Sequence, residues 1–323
     1  MSFFAIFLAL VLEQARPLTL DNPVYRLIES WTGWVVRTLD AGVRHLAWVT
    51  WGMATLMPAA LALVVHALAD WGLGWFVAVL WNVALLYVTL GFRQFSHHFT
   101  TIRDALDEGD EQKARELLAQ WQQVEVGDIA RSEIVRHVIE FSVIAAHRHV
   151  FGVFFWYAWL SVIGLGPAGA VVYRLAEYVQ RRWSREQGTD SGVSTVLAEV
   201  AQRAWNMLDW LPARATALGF AIVGSFEDAM DGWRNHAQNF PADNDGVILA
   251  ATAGAINVRL GGAGLMPPVP QKSDEDGPAA SAASTPGQPA QLGHLASVVG
   301  LVWRTVIMWL VLVALLTMAK LMG

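Results

Sequence analysis

Long apolar blocks alternate with amphipathic stretches along the chain, and the block lengths predict which helices meet a bilayer. Residues 47–69 and 75–91 carry almost no formal charge, and a helix of roughly 20 such residues crosses the ~30 Å hydrocarbon layer. The stretch Asp70-Trp71-Gly72 between them reads as a turn, so 47–91 forms a hairpin. Residues 1–12 are apolar but give way to Glu13 and Arg16. They are too short to span and lack the charged start and cleavage site of a signal peptide, so an embedded or packed N-terminal helix is expected. Residues 94–122 turn amphipathic, with a turn at Asp107-Glu108-Gly109-Asp110 and Asp110 placed to cap the helix that follows.

Ser132 and Glu133 open a further helix through Ile134, Val138 and Phe141. No breaker separates it from the run beginning at Val150-Phe151-Gly152, which reaches Gly166-Pro167 as a third span or a re-entrant segment. Residues 188–192 read as a loop, and 218–223 are too short to span alone. Residues 267–289 are rich in Pro, Ala, Ser and Gly and cannot bury enough apolar surface to offset their ordering entropy. Residues 295–318 make the last span, with Arg304 and Lys320 near its ends.

The expected organisation is an N-terminal embedded or amphipathic helix with a cytoplasmic segment (1–46), a transmembrane hairpin (47–91) and a cytoplasmic helical insertion (92–149). A membrane-embedded core (150–264), a disordered linker (265–294) and a C-terminal transmembrane helix (295–323) follow. The fold class is all-α: a polytopic helical membrane protein with four to five embedded helices. Arg37 and Arg44 precede the hairpin, and Arg93, Arg103, Lys113 and Arg115 follow it. The positive-inside rule therefore puts both its feet in the cytoplasm of a multi-pass bacterial inner membrane protein.

Composition agrees with a lipid bilayer as partner. Of 323 residues, 54% are hydrophobic and only 15% charged, with a mean hydropathy of +0.38, well away from soluble averages. Sixteen Trp against five Tyr suit a boundary between apolar and wet surroundings. There is no Cys, which excludes disulfides, thiolate metal sites and cysteine nucleophiles. A net charge of −6 with no basic face excludes nucleic acid as a partner.

The residues that could carry chemistry are few. Glu133, His137, Glu140 and His147 share roughly one helix face, either as a metal-capable stripe or as an ordinary salt-bridged face; their spacing matches no metal motif, and no metal site is assigned. His147-Arg148-His149 is a basic cluster at a membrane boundary, suited to headgroups or to a ligand. Asp209, three residues before Pro212, reads as an N-cap. That places Arg214 in a first turn, where a cation opposes the helix dipole and calls for an anion. Asn244-Asp245-Gly246 reads as a turn and Gly261-Gly262 as a helix C-cap. The polar stretch from Phe226 to His236 could line a cytoplasmic mouth or be an exposed helix. Dinucleotide, P-loop and nucleophile-elbow motifs are missing.

The order of several blocks resembles the CobD/CbiB family of cobalamin-biosynthesis membrane proteins to Gly262. They are Gly109-Asp110 with Ala114-Arg115, Phe155-Trp156 with Gly166-Pro167-Ala168-Gly169-Ala170 and Tyr173-Arg174, Leu211-Pro212-Ala213-Arg214, and Asn244-x-Gly246 with Arg259-Leu260-Gly261-Gly262. The resemblance implies a protein that joins aminopropanol to a corrin carboxyl, using ATP and Mg²⁺, with Glu140 and Asp209 as the remaining acids. The family enzymes carry a Glu-Asn-x-x-Asp-Gly motif where this chain has Ile144-Ala145-Ala146-His147-Arg148-His149, and their Val-Gly-Arg-Asp block is reduced to Val126-Gly127-Asp128. That basic version, with Leu208-Asp209-Trp210-Leu211-Pro212-Ala213-Arg214, looks closer to AmpE, a sensor-like relative linked to β-lactamase induction and cell-wall recycling. The leading expectation is therefore an AmpE-like signalling protein without a cofactor, possessing a site for a small anionic ligand at His147, Arg148, His149, Arg174, Asp209, Arg214, Asn244 and Arg259. The alternative is the corrinoid enzyme. A membrane or cytoplasmic protein partner fits either.

Overall fold

The computed structural model describes residues 2–15, 23–122, 127–188, 192–262 and 283–322. Helices α1 (Ser2–Ala15), α2 (Pro23–Leu39), α3 (Arg44–Leu73), α4 (Trp75–Thr89), α5 (Phe92–Asp107), α6 (Glu111–Gln122) and α7 (Arg131–Ala146) come first. A π-helical turn, His147–Phe151, leads directly into α8 (Gly152–Ser161). Then come α9 (Gly166–Glu186), α10 (Thr195–Val223), α11 (Phe226–His236), α12 (Asp243–Ile256) and α13 (Leu292–Met322). The described residues form no strand, only isolated bridges between 258 and 288 and between 261 and 284. Among the described residues, three helices are long and apolar enough to cross a membrane: Arg44–Leu73, Arg131–Ser161 and Leu292–Ala319. The protein is an all-α polytopic membrane protein, as its periodicity predicts.

Two compact units make up the chain. The first comprises Met1–Phe92, Arg148–Pro212 and Trp309–Gly323; the second comprises Arg93–His147 and Ala213–Met308.

In the first unit α3 packs on α2, α4 and α9, and α8 packs along α9. Close approach between α8 and α9 depends on glycine: a Cβ on Gly169 would lie 2.4 Å from the Trp156 carbonyl oxygen. The expected turn at Asp70-Trp71-Gly72 is corrected, because those residues continue α3 and the chain reverses at Gly74, whose φ of +90° favours glycine. At the start of α10, Ser194 Oγ accepts from the Leu197 amide at 3.1 Å, while both Asp40 carboxylate oxygens hold Ser194. That is an N-cap tied to the end of α2.

Two prolines lie inside long helices, Pro58 in α3 and Pro212 in α10. Each lacks the N–H that would bond the carbonyl four residues earlier. In both places a tryptophan indole substitutes: Trp31 Nε1 donates to Ala54 O at 3.3 Å, and Trp156 Nε1 donates to Leu208 O at 3.2 Å. The second bond explains the main departure from expectation. Asp209 does not cap a new helix, because α10 runs through Pro212 with its stranded carbonyl occupied. Arg214 accordingly lies in mid-helix, not in a first turn.

The second unit is centred on the antiparallel pair α11 and α12. Cβ atoms on Gly232 and Gly254 would strike the facing backbone at 2.5 Å and 2.1 Å, so the two helices meet backbone to backbone. Ala217, Val247 and Ala251 form the core beside them. The α5–α6 turn is as expected, with Gly109 at φ +81° and Asp110 Oδ1 accepting from the Lys113 amide at 2.9 Å. Asn244 and Gly246, expected in a turn, lie instead in the first turns of α12. The left-handed Asn257 (φ 51°) caps that helix in place of Gly261-Gly262.

Residues 265–282 of the expected linker lie outside the described residues, as does Val126. The C-terminal part of that linker is corrected: Thr285 is buried and bonds Leu260, Gln288 O accepts from the Arg259 amide at 2.7 Å, and α13 starts at Leu292. A Pro/Ser/Gly-rich composition cannot reveal such pairing, since backbone bonds made to a distant segment leave no periodic signal.

Trp156→Phe is expected to cost about 1 to 3 kcal/mol by leaving the Leu208 carbonyl without its donor. In a Pro212→Ala background, where position 212 regains its N–H, the same change should cost much less. Thermal unfolding of the four proteins in detergent checks this, and equal costs in both backgrounds would contradict it.

Candidate functional site

The π-helical turn adds a residue between helical rungs, and such turns recur at functional sites. Here it comprises His147, Arg148, His149, Val150 and Phe151. It interrupts an otherwise continuous helix through an apolar segment, where polar side chains are costly and rarely idle.

In the first unit the turn meets α9 and α10. Glu177 on α9 is buried, at 1% exposure, and is bracketed by guanidiniums on its own helix: Arg174 Nη1 at 2.9 Å and Arg181 Nε at 3.5 Å. Burial would raise its pKa, but Arg174 and Arg181, with His149 and Arg148 adding to them, hold it down to about 2. Arg148 lies over the Trp205 indole, 5.7 Å from its centroid, in a cation–π contact. Trp205 in turn packs against Tyr173 at 5.1 Å. Tyr173 donates its hydroxyl hydrogen to Asp209 Oδ1 at 2.8 Å, and both residues are fully buried. Burial and the Asp209 carboxylate push the Tyr173 hydroxyl well above its ordinary pKa, so it stays a donor. Tyr173 reaches this position because Gly152 has no side chain; a Cβ there would lie 2.1 Å from the phenol.

In the second unit, Arg136 is 5% exposed and joins two acids of α7, Glu133 and Glu140. Glu140 also pairs with His137 at 3.5 Å and accepts from the Gly261 amide at 2.7 Å. The stripe expected on this face is therefore a salt-bridge network fastening the 257–262 loop. Arg136 converts paired acids into a clamp that charge spacing among Glu and His did not disclose. His147 is buried and bonds Thr216 at 2.9 Å, and Arg214 donates to Asn244 at 3.2 Å. Arg259 has an exposed side chain and holds Gln288 through its backbone.

Thus Arg148, His149, Arg174 and Asp209 come together in the first unit, with Tyr173, Glu177, Arg181 and Trp205 as members that candidate-residue reasoning did not assign. Two of them had a signal on α9, where Arg174, Glu177 and Arg181 fall at i, i+3 and i+7. In the second unit, His147 contacts Thr216, Arg214 contacts Asn244, and Arg259 takes part in the pairing with the 283–290 segment.

Residues 4–286 match the protein family described as CobD/Cbib protein. The chain belongs to the CobD/CbiB family. Among the curated proteins it is 33% identical to the cobalamin biosynthesis protein CobD of Chromobacterium violaceum over 66% of either chain. It is 28% identical to the protein of that name from Stutzerimonas stutzeri, over 83% of this chain and 81% of the relative. A 42% identical match to the Mycobacterium tuberculosis protein covers 19% of this chain and 21% of the relative. The chain thus spans about two thirds of the first relative's length. No solved structure matches it significantly.

Family membership raises the question of Mg²⁺ and ATP. Mg²⁺ takes hard oxygen ligands, usually one or two carboxylates with phosphate and water. Here Glu140 is engaged by Arg136, His137 and an amide, Glu177 by two arginines, and Asp209 by a tyrosine. Among the described residues no group of three His, Cys, Asp or Glu is placed to hold a metal ion. Among the described residues, Glu140, Glu177 and Asp209 do not form a protein-built Mg²⁺ site.

Folding lowers the pKa of Glu177, so its ionic contribution to stability is complete above its ordinary value of 4.5 and is lost as pH falls towards about 2. Glu177→Gln should cost about 3 kcal/mol or more near neutral pH by leaving Arg174 and Arg181 without their shared anion. The gap from the parent protein should close between those two pH values. Unfolding midpoints measured across that range check this, and parallel pH profiles would contradict it.

Proposed function

We propose that this protein acts in cobalamin biosynthesis in the bacterial inner membrane, taking a corrinoid with a free carboxyl and promoting its amidation by aminopropanol. Family membership and relatives named cobalamin biosynthesis protein support this pathway over a signalling role. The observation that carries the site is the fully buried Asp209–Tyr173 pair. An amine must lose a proton to become part of an amide. Asp209, held by the Tyr173 hydroxyl, is the group suited to accept that proton, and Tyr173 keeps the carboxylate aimed. Glu140, the other acid considered for catalysis, serves instead to hold the Gly261 loop to α7. Condensing a carboxylate with an amine expels one carboxyl oxygen, so the carboxyl must first be activated by a phosphoryl donor of the ATP class, the oxygen then leaving with the phosphate; the chain's own part in this reading is to bind, orient and deprotonate.

A second reading has one observation in its favour: the π-helical turn carries the basic residues His147, Arg148 and His149. On that reading the site holds an anionic ligand for an AmpE-like regulatory protein and turns nothing over.

Deletion of the gene separates the two. The first reading expects a corrinoid requirement that the parent gene restores, with unchanged response to β-lactams. Asp209→Asn should fail to restore it, with output reduced by about 100-fold or more, the usual worth of a positioned general base. Tyr173→Phe should restore it partly. An altered β-lactam response with normal corrinoid levels would overturn this reading in favour of the second.

A further inference from the structure

Helix α10 is built inside out beyond Asn206. Its polar side chains there turn into the fold: Asp209 and Thr216 are fully buried, and Arg214 donates to Asn244. Large apolar side chains turn outwards instead. Met207 is 74% exposed, Leu211 40%, Leu218 42% and Ile222 56%. These positions recur at helical spacing, so they form one stripe along the helix. A helix facing water shows the opposite pattern, with its apolar side packed and its polar side solvated.

The neighbours of α10 and its inward face say what covers the stripe. In the first unit Trp156 on α8 donates to Leu208 O, and Phe155 on α8 lies 6.3 Å from Trp309 of α13. In the second unit His147 bonds Thr216. Each bond joins α10 to the candidate span Arg131–Ser161, and the ring contact joins that span to Leu292–Ala319. Helices that pair with another copy inside a bilayer present small residues, which let the backbones approach. Ala213, Ala217 and Ala221 make such a row on α10, but all three are fully buried within this chain. The outward stripe holds only large side chains, which suit acyl chains. The backbone, too, is prepared for an environment without water. Pro212 strands the Leu208 carbonyl and the Trp156 indole takes it, as a helix in hydrocarbon requires.

We propose that α10 crosses the hydrocarbon layer with Met207, Leu211, Leu218 and Ile222 against lipid acyl chains, a further span beyond the three that length and hydropathy reveal. From Met207 to Ile222 the stripe rises about 22 Å at ~1.5 Å per residue, most of the ~30 Å apolar thickness. Exposed Arg203 and Asn206 precede it, and exposed Glu227 and Asp228 follow it. Asp209 and Arg214 hide the span from a hydropathy average, which counts inward side chains against the helix. Asp209 comes three residues after Asn206, about 5 Å along the axis. The Asp209–Tyr173 pair therefore sits just beneath the water boundary at which α10 begins, whichever ligand it serves.

The chain has no cysteine, so single spin labels can be attached to the full protein without removing any residue first. Met207→Cys, Leu211→Cys, Leu218→Cys and Ile222→Cys are labelled one at a time, with Glu199→Cys on the same helix as the exposed polar control. In phosphatidylcholine nanodiscs, power-saturation electron paramagnetic resonance compares collisions with oxygen, which enters lipid, and with a water-soluble nickel chelate. Oxygen collisions should dominate at all four stripe positions, with the oxygen-to-nickel ratio highest at 211 and 218 and lower at 207 and 222. The ratio should invert at 199. Unfolding midpoints equal to the parent's identify folded variants, and the four positions give independent readings. Nickel dominance along the stripe overturns the proposal. So does a flat ratio from 207 to 222, the profile of a helix lying along the membrane surface. Low collision rates with both reagents, or dipolar broadening between labels on two copies, overturns lipid as the occupant and makes the stripe a protein interface.

Discussion

Keeping one carboxylate charged inside an apolar helical packing is the constraint on which the arrangement in the first unit depends. Glu177 is buried by α9 and its neighbours, and a lone carboxylate there would be prohibitively costly. Arg174 and Arg181 on the same helix make it tolerable. A buried ion pair of this kind is weak evidence for stability in itself, because desolvation offsets most of the attraction. What it supplies is position: it fixes Arg174 and gives Arg148 and His149 an acid to face. The tyrosine and aspartate beside it extend the polar group without adding a further cation.

Helix continuity does the rest of the positioning. Asp209 can face Tyr173 only because α10 passes through Pro212, and it passes through because Trp156 takes the carbonyl that the proline strands. Gly152 and Gly169 then let α8 and α9 approach closely enough for Tyr173 to reach across. The π-helical turn just before Gly152 places Arg148 over Trp205. Backbone hydrogen bonding, glycine spacing and one buried salt bridge thereby converge on the same few side chains. In the second unit a comparable economy is visible, where Arg136 and Glu140 secure the Gly261 loop that the 283–290 segment also holds.

The apolar blocks made the all-α membrane class and the last span legible, because lipid imposes a length rule that local chemistry rarely violates. The Asp110 cap was legible for the same reason that caps usually are: its partner is three residues away. Boundaries that rest on distant partners were not. Pro212 reads as a helix start until the Trp156 indole is known to lie beside Leu208. Asn244-Asp245-Gly246 reads as a turn until Gly246 is seen packed within 2.4 Å of the Ala237 carbonyl oxygen for an added Cβ. The π-helical turn has no periodic signature, and it is the feature that separates His147, bonded to Thr216, from Arg148 and His149 beside Glu177. Arg174 came from resemblance alone, while Glu177 and Arg181 stand three and seven residues after it, a spacing that charged residues also show on ordinary helix surfaces.

The ionisation state of Glu177 tests the central claim most directly. Difference infrared spectroscopy of the parent protein against Glu177→Gln, recorded from neutral pH down to about pH 3, reads it directly. The account predicts that a carboxylate stretch is lost in the variant throughout that range, since the arginines hold the group ionised to about 2. A protonated carboxylic acid signal at neutral pH that vanishes in the variant would contradict it.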